Sequence, residues 1–325
     1  MRRVGVLVAV VGLVAGLLTG CSSDDGTDDT VQIVATTTIL GDIASNVVGD
    51  SADVEVLMPV GVNPHDFHPS SQQVAAIQRA DLVVANGLGL EAGLHDVLAA
   101  AEGDGVLVWE VAADLDPLPF AADRHDDEEA HEGEEGHDDE EGHDDEPGSL
   151  DPHFWLDPLR VAAAAGLMSE HLSEVAPDVD WSSAADEYAA ELEALHNTSV
   201  EQLAAVVVSD RKLVTNHLSL GYFSDRYDFE MIGTVIPGGA SLANPSSSEL
   251  ASLVEVIEHE QVPAIFTETI EPDALAQAVA AEVGYDVAVV ELYTGSLGEP
   301  GTDGDTLIGM LATNVERIAE SLGTP

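Results

Sequence analysis

The sequence predicts an α/β protein of two lobes, each built on a mostly parallel sheet, with a long rigid helix between them. Three observations predict this. Short apolar, β-branched runs alternate with alanine-rich helical patterns and fall into two groups. These runs are apolar nearly throughout, as expected of parallel strands covered on both faces. One uninterrupted helical pattern separates the groups, and 325 residues are enough for two cores of ordinary size.

The chain begins as an export signal over residues 1–20: Arg2 and Arg3, an apolar run from Val4 to Leu18, then "LLTGC". A small-residue pair followed by cysteine resembles the bacterial lipobox, in which cleavage precedes Cys21 and its sulfur takes a lipid. An ordinary signal peptide, or a short membrane helix, with an accidental cysteine is the plainer alternative. Cys21 is the one cysteine of the chain, so no disulfide forms and no thiolate ligates a metal. Residues 21–30, "CSSDDGTDDT", have almost nothing to bury and read as a flexible tether.

The first lobe is expected over residues 31–181, with strands in "VQIVATTTIL", "DVEVLMPV", "DLVVANG" and "GVLVWEV". The second is expected over 208–325, with strands in "KLVTNH", "EMIGTVI", "PAIFTET" and "DVAVVELYT". Between them, over 182–207, Tyr188, Leu192, Leu195, Ser199, Leu203 and Val206 recur at helical spacing, and no glycine or proline interrupts them. Ser183 with Asp186 reads as a capping box for that helix. Its length suits a strut between lobes, and its apolar stripe equally suits packing on one lobe.

Charge narrows the partners. With 62 Asp and Glu against 9 Lys and Arg, the protein repels nucleic-acid backbones and anionic headgroups and attracts cations. The acid is densest over residues 123–146, which end in the near-repeat "EEGHDDEEGHDDE". One alanine is the whole apolar content of that run, so it is a solvated loop inserted in the first lobe. Its four histidines, His125, His131, His137 and His143, stand among carboxylates and would bind several divalent ions loosely. A charged spacer that only keeps the lobe soluble is the other reading.

Three histidines outside the loop have turn-rich surroundings. His65 in "VNPHDFH" follows the second strand, His153 in "LDPHFWLDP" follows the acidic loop, and His217 in "VTNHLS" ends the first strand of the second lobe. Ligands of open α/β sheets sit at the carboxyl ends of strands, which is where His65 and His217 fall. A set of three imidazoles favours Zn²⁺ over Mn²⁺ or Mg²⁺, which prefer oxygen. Asp66, Asp151 and Asp157 are local acceptors for the second ring nitrogens. His68, His95, His171, His196 and His259 are expected at the surface, and "GLGLEAG" as a turn, since it lacks the lysine of a phosphate-binding loop.

In order, "GVNPHDFHPS", "ADLVVANGLGLE", "DPHFWLDP", "TNHLSLGYF" and "LYTGSLGEPGTDGDTLIGMLATNVERI" resemble the metal-binding lipoproteins of bacterial ABC importers for zinc or manganese. The resemblance spans essentially the whole mature chain. It implies two α/β lobes joined by a rigid helix, one metal in the cleft, and His65, His153 and His217 as its ligands. Manganese members usually carry glutamate at the third position and zinc members histidine, so His217 agrees with Zn²⁺. Zinc members also carry a His-rich loop like this one.

The sequence departs from the family at the fourth ligand, usually acidic, where Gly295 stands. Water, a histidine of the acidic loop, Glu268 in "FTETIEP" or the loop from Glu299 to Asp305 are the alternatives. The implied function is capture of Zn²⁺ outside the membrane by a lipid-anchored monomer and delivery to an ABC permease and its ATPase, with Mn²⁺ as the alternative cargo. A zinc hydrolase is the second class, since three histidines with an open position also suit catalysis. The sequence lacks a His-Glu-x-x-His helix and a Gly-x-Ser-x-Gly elbow, so no enzyme is expected. A surface adhesin is the third class, and it would not need spaced histidines.

Overall fold

The computed structural model describes residues 30–120, 150–237 and 245–323. The export signal, Cys21 and the four histidines of the acidic run lie outside these residues.

The first lobe carries β1 (Val31–Ala35), α1 (Thr38–Val48), β2 (Ala52–Val56), α2 (Ser71–Ile77), β3 (Leu82–Ala85), α3 (His95–Gly103) and β4 (Leu107–Glu110). The helices α4 (Pro158–Val175) and α5 (Ser182–Leu203) follow. The second lobe carries β5 (Lys212–Thr215), α6 (Gly221–Tyr227), β6 (Glu230–Thr234), α7 (Ser247–Glu260), β7 (Ala264–Glu268), α8 (Ala274–Glu282), β8 (Ala288–Leu292) and α9 (Leu307–Leu322). Both sheets are parallel throughout their named strands. Their orders, β2-β1-β3-β4 and β6-β5-β7-β8, are the same pattern twice. In each, the chain reverses its direction of travel across the sheet beside the first strand, between β1 and β3 or between β5 and β7. Such points open a crevice at the carboxyl ends of the strands.

Strand residues alternate between two apolar environments, and this explains the unbroken apolar text. In β1 and β3, Ile33, Ala35, Leu82 and Val84 face inward, whereas Val34, Val83 and Ala85 face the outer layer around α2 and α3. In the second sheet, Leu213, Ala264 and Phe266 face inward, and Val214 and Ile265 face the layer around α7 and α8. The inward faces of both sheets share one core with residues of α1, α4, α5, α6 and α9.

Helix α5 lies across this shared core. Ala185, Tyr188, Leu192, Ser199 and Leu203 form its buried stripe, and it packs against α1 and α4 on one side and α9 on the other. Its 22 residues span about 33 Å at 1.5 Å each. The expected capping box of Ser183 and Asp186 is not formed: Trp181 stands at the N-cap position with no side-chain cap bond. The carboxylate of Asp180 instead accepts from Ser182 N at 3.2 Å and Ser182 Oγ at 2.8 Å. An acceptor just before the first turn removes the need for one within it. Similarly, "TTTIL" does not extend β1, because the Thr37 side chain accepts from Leu40 N and starts α1.

Candidate metal centre

Each functional side chain is delivered by a short irregular segment that rigid elements hold at both ends. His65 sits in the single turn Pro64–Asp66, which Asn63 opens by accepting from His65 N at 3.0 Å. Proline at the first position pre-sets the backbone for that turn. His153 precedes the turn Phe154–Leu156, after which Asp157 caps α4 by accepting from Leu159 N at 2.9 Å. His217 lies two residues beyond β5, where Thr215 Oγ1 donates to its carbonyl at 2.7 Å.

The structure brings these three rings together from segments far apart in the chain. Nε2 of His153 is 3.3 Å from Nε2 of His65 and 3.5 Å from Nε2 of His217. One donor atom from each residue lies within 4.8 Å of both others. The edge of a tetrahedron around an ion with about 2.05 Å Zn–N bonds is roughly 3.3 Å. The spacing therefore suits a small four-coordinate ion. His153 and His217 are buried, and His65 is half-buried.

Carboxylates behind two of the rings fix which nitrogen faces the centre. Asp151 Oδ1 accepts from His153 N at 2.9 Å and lies 2.7 Å from His153 Nδ1. Asp151 is itself wholly buried, and Gly221 makes room for it, since a Cβ at that position would collide with Oδ2. Oε1 of Glu268, at the end of β7, lies against Nδ1 of His217, while Thr294 Oγ1 donates to Oε2. A proton held on Nδ1 by a carboxylate leaves the Nε2 lone pair free for a cation.

The electrostatics differ among the rings. Burial, followed by repulsion from His153 and His217, lowers the pKa of His65 to about 3. Burial and then His217 lower that of His153 to about 3 as well. For His217, burial also works downward, but Glu268 outweighs it and the net shift is upward. The same pairing leaves the Glu268 carboxyl below its ordinary range despite burial. Two rings are thus neutral bases at ordinary pH, and the third holds a proton more readily than an ordinary histidine.

Other expected site residues fall elsewhere. Glu268, expected as a candidate fourth ligand, stands behind His217 and outside the group of converging donor atoms. Asp66 is exposed. Asp157 faces no histidine: it takes Arg226 Nε at 2.9 and 3.0 Å and Nη2 at 2.7 Å. A Cβ at Gly295 would lie 2.6 Å from Ile270 Cδ1 and 3.2 Å from Pro64 Cδ, so apolar neighbours fill the space a side chain would need. His68, His95 and His259 are exposed as expected, but His171 and His196 are half-buried against the rings of Trp109 and Tyr227.

The "GLGLEAG" segment is a turn whose Glu91 points inward, accepting from Thr36 Oγ1 at 2.6 Å, Asn86 N at 2.7 Å and Gly87 N at 3.2 Å. Burial raises the pKa of Glu91 against those bonds. Asn86 Nδ2 passes the constraint on by donating to Pro152 O at 3.0 Å, next to His153. From the second lobe, Tyr222 Oη donates to Asp151 O at 2.8 Å, and Thr294 O receives Trp155 Nε1 at 2.7 Å. Sequence reasoning missed this support. Its one textual signal is polar residues inside apolar strand ends, as in "VVANG" and "ELYTG".

Residues 33–321 match the family model described as zinc-uptake complex component A, periplasmic. The manganese-binding lipoprotein MntA of Halalkalibacterium halodurans is 26% identical over 319 residues, covering 96% of this chain and 97% of that protein. The zinc-binding protein TroA of Treponema pallidum is 27% identical over 329 residues, covering 99% and 98%. The zinc-binding lipoprotein AdcA of Streptococcus pneumoniae is 27% identical over 323 residues, which are 99% of this chain and 61% of that longer protein. Among solved structures, the periplasmic zinc-binding protein TroA of T. pallidum has a TM-score of 0.77 at 24% identity, covering 91% of this chain and all of that one. A crystal structure of ZnuA has a TM-score of 0.73 at 24% identity, covering 90% and 100%.

Proposed function

This chain belongs to the family of periplasmic zinc-uptake component A, the metal-binding subunits of ABC importers and not enzymes, and on that premise we propose that its cargo is Zn²⁺. Relatives named for manganese and for zinc both match along nearly the whole chain, so the choice of metal rests on donor chemistry. The single observation that carries it is the convergence of three imidazole nitrogens, two of their separations at 3.3 and 3.5 Å and all within 4.8 Å, with no carboxylate oxygen of the described residues in the group. Nitrogen donors favour Zn²⁺, and Mn²⁺ stands at the weak end of the divalent series.

In this reading His65, His153 and His217 bind the ion through Nε2, while Asp151 and Glu268 orient two of the rings from behind. Since no carboxylate of the described residues joins the three histidines, the fourth corner falls to water or to a histidine of the acidic run. The lipid on Cys21 would keep the monomer at the outer face of the membrane, within reach of its permease and ATPase. His125, His131, His137 and His143 would gather cations and exchange them quickly.

Titration of Zn²⁺ and Mn²⁺ against a chromophoric chelator tests the reading, using the parent, His65→Ala, and a variant lacking residues 123–146. The expected result is one tight zinc site, manganese weaker by roughly a hundredfold, loss of the site in His65→Ala, and its survival in the deletion while weaker sites vanish. Preference for manganese would overturn the assignment of zinc. Loss of the tight site on deletion would put a loop histidine on the ion.

A further inference from the structure

The cleft holds a second carboxylate that no ligand role accounts for. Glu271 lies three residues beyond Glu268, and its N–H donates to Glu268 O at 3.3 Å. Asn63 Nδ2 donates to Glu271 Oε1 at 2.9 Å, and Asn216 Nδ2 donates to Oε2. Asn63 precedes His65 by two residues in the first lobe, and Asn216 immediately precedes His217 in the second. One side chain therefore joins the segments carrying two of the three converging histidines, and one of its bonds crosses between lobes.

Neither asparagine is loose at its other end. Asn63 Oδ1 accepts from His65 N at 3.0 Å, so its amide moves with the turn that presents His65. The carbonyl of Asn216 accepts from Ile236 N at 2.7 Å, which anchors the exit of β5. A carboxylate suits the position between them, because it offers acceptors to two amide donors at once. Asn63 cannot flip, since a flip would set its NH₂ against the N–H of His65. A glutamine would keep an acceptor for Asn63 and give its NH₂ to a turned Asn216 amide, so only removal of both acceptors, as in alanine, breaks the link.

We propose that Glu271 is a positioning residue that latches the His65 turn to the His217 segment and so sets how long the ion stays bound. The inference rests on the reading of the three histidines as the metal site. Breaking the Asn63 bond frees His65, the half-buried member of the three, to swing from the ion while His153 and His217 keep their supporting carboxylates.

Stopped-flow transfer of zinc to excess chelator tests this with full-length parent, Glu271→Ala, Asn63→Ala and the double variant. Glu271→Ala should raise the dissociation rate about tenfold, at the low end of the effects of outer-shell changes, and Asn63→Ala at least as much, because it also removes the acceptor of the His65 N–H. The double variant should be no faster than Asn63→Ala alone, because the bond to Glu271 is already gone there. Stoichiometry should stay at one tight ion, and the melting temperature of the metal-free protein should stay near that of the parent, which a merely structural role would not give. A Glu271→Ala rate within twofold of the parent, or multiplicative effects in the double variant, would overturn the latch. His65→Ala separates this from the underlying reading. If it keeps the tight site, the histidine assignment fails; if it loses the site while Glu271→Ala is unchanged, only the latch fails.

Discussion

Asp151 grips His153 twice with one oxygen, taking the backbone N–H at 2.9 Å and standing 2.7 Å from Nδ1 of the ring. Two bonds from one atom fix both the path of the chain and the rotation of the imidazole. Asp151→Ala should therefore weaken zinc binding by about 10- to 100-fold while sparing the other two histidines. Competition against a chelator of known affinity measures it. An affinity within twofold of the parent would show that packing alone orients the ring.

Affinity should also depend on pH through one residue first. His65 and His153 are depressed to about 3 by burial, so they present free lone pairs throughout the neutral range. His217 is shifted upward because Glu268 outweighs its burial. A proton on Nε2 competes directly with the ion, so zinc affinity should begin to fall above pH 6.5, the ordinary histidine value, and lose about tenfold per pH unit below it. Glu268→Gln removes the opposing charge and leaves burial in control, which lowers the pKa of His217. The variant should bind more weakly at high pH yet show a flatter profile between about pH 7 and 5. Zinc titrations across that range read both slopes, and parallel profiles would refute the role of Glu268.

Gly295 stands where the sequence resemblance leads one to expect an acidic fourth ligand, and its surroundings can be tested. A side chain there meets Ile270 Cδ1 at 2.6 Å and Pro64 Cδ at 3.2 Å. Gly295→Asp alone should lower stability by about 1–3 kcal/mol through overpacking. Adding Ile270→Ala should recover much of that loss and, by supplying an oxygen donor, narrow the gap between zinc and manganese. Urea unfolding and competitive titration check the two parts separately.

Asp157 and Arg226 join the segment after His153 to α6 of the second lobe. Asp157 is 1% exposed and also caps α4, so losing Arg226 leaves its buried charge only the more distant Arg160, at 3.7 Å. Because the Arg226 side chain is 31% exposed, the cost of Arg226→Leu is discounted to about 1–3 kcal/mol. Adding Asp157→Asn keeps the cap and removes the stranded charge, so the double variant should be more stable than Arg226→Leu alone. Chemical denaturation of all three proteins decides it.

All eight apolar, β-branched runs of the text became strands, but burial on both faces explains only the inner four, β1, β3, β5 and β7; the edge strands β2, β4, β6 and β8 are half-buried or exposed along much of their length. His65, His153 and His217 were legible because turn residues and strand ends bracket them. Glu268 shows where legibility stops. The text places a carboxylate at the end of β7, but which nitrogen of His217 it meets is decided by side-chain packing. Glu271 lies beyond it for another reason: its partners Asn63 and Asn216 stand 208 and 55 residues away, and no periodicity links them. His171 and His196 read as surface residues because their helices are polar around them, while their stacking partners come from other elements.

The apolar core shared by both sheets limits how cargo can leave. Prising the halves apart like a clamshell would wet that seam at about 2.5 kcal/mol for every 100 Å² uncovered, a toll that mounts within the first few ångströms of travel. A docked permease would do better to pluck a single finger of the grip, and the loop between β2 and α2 is the one that lies nearest the outside.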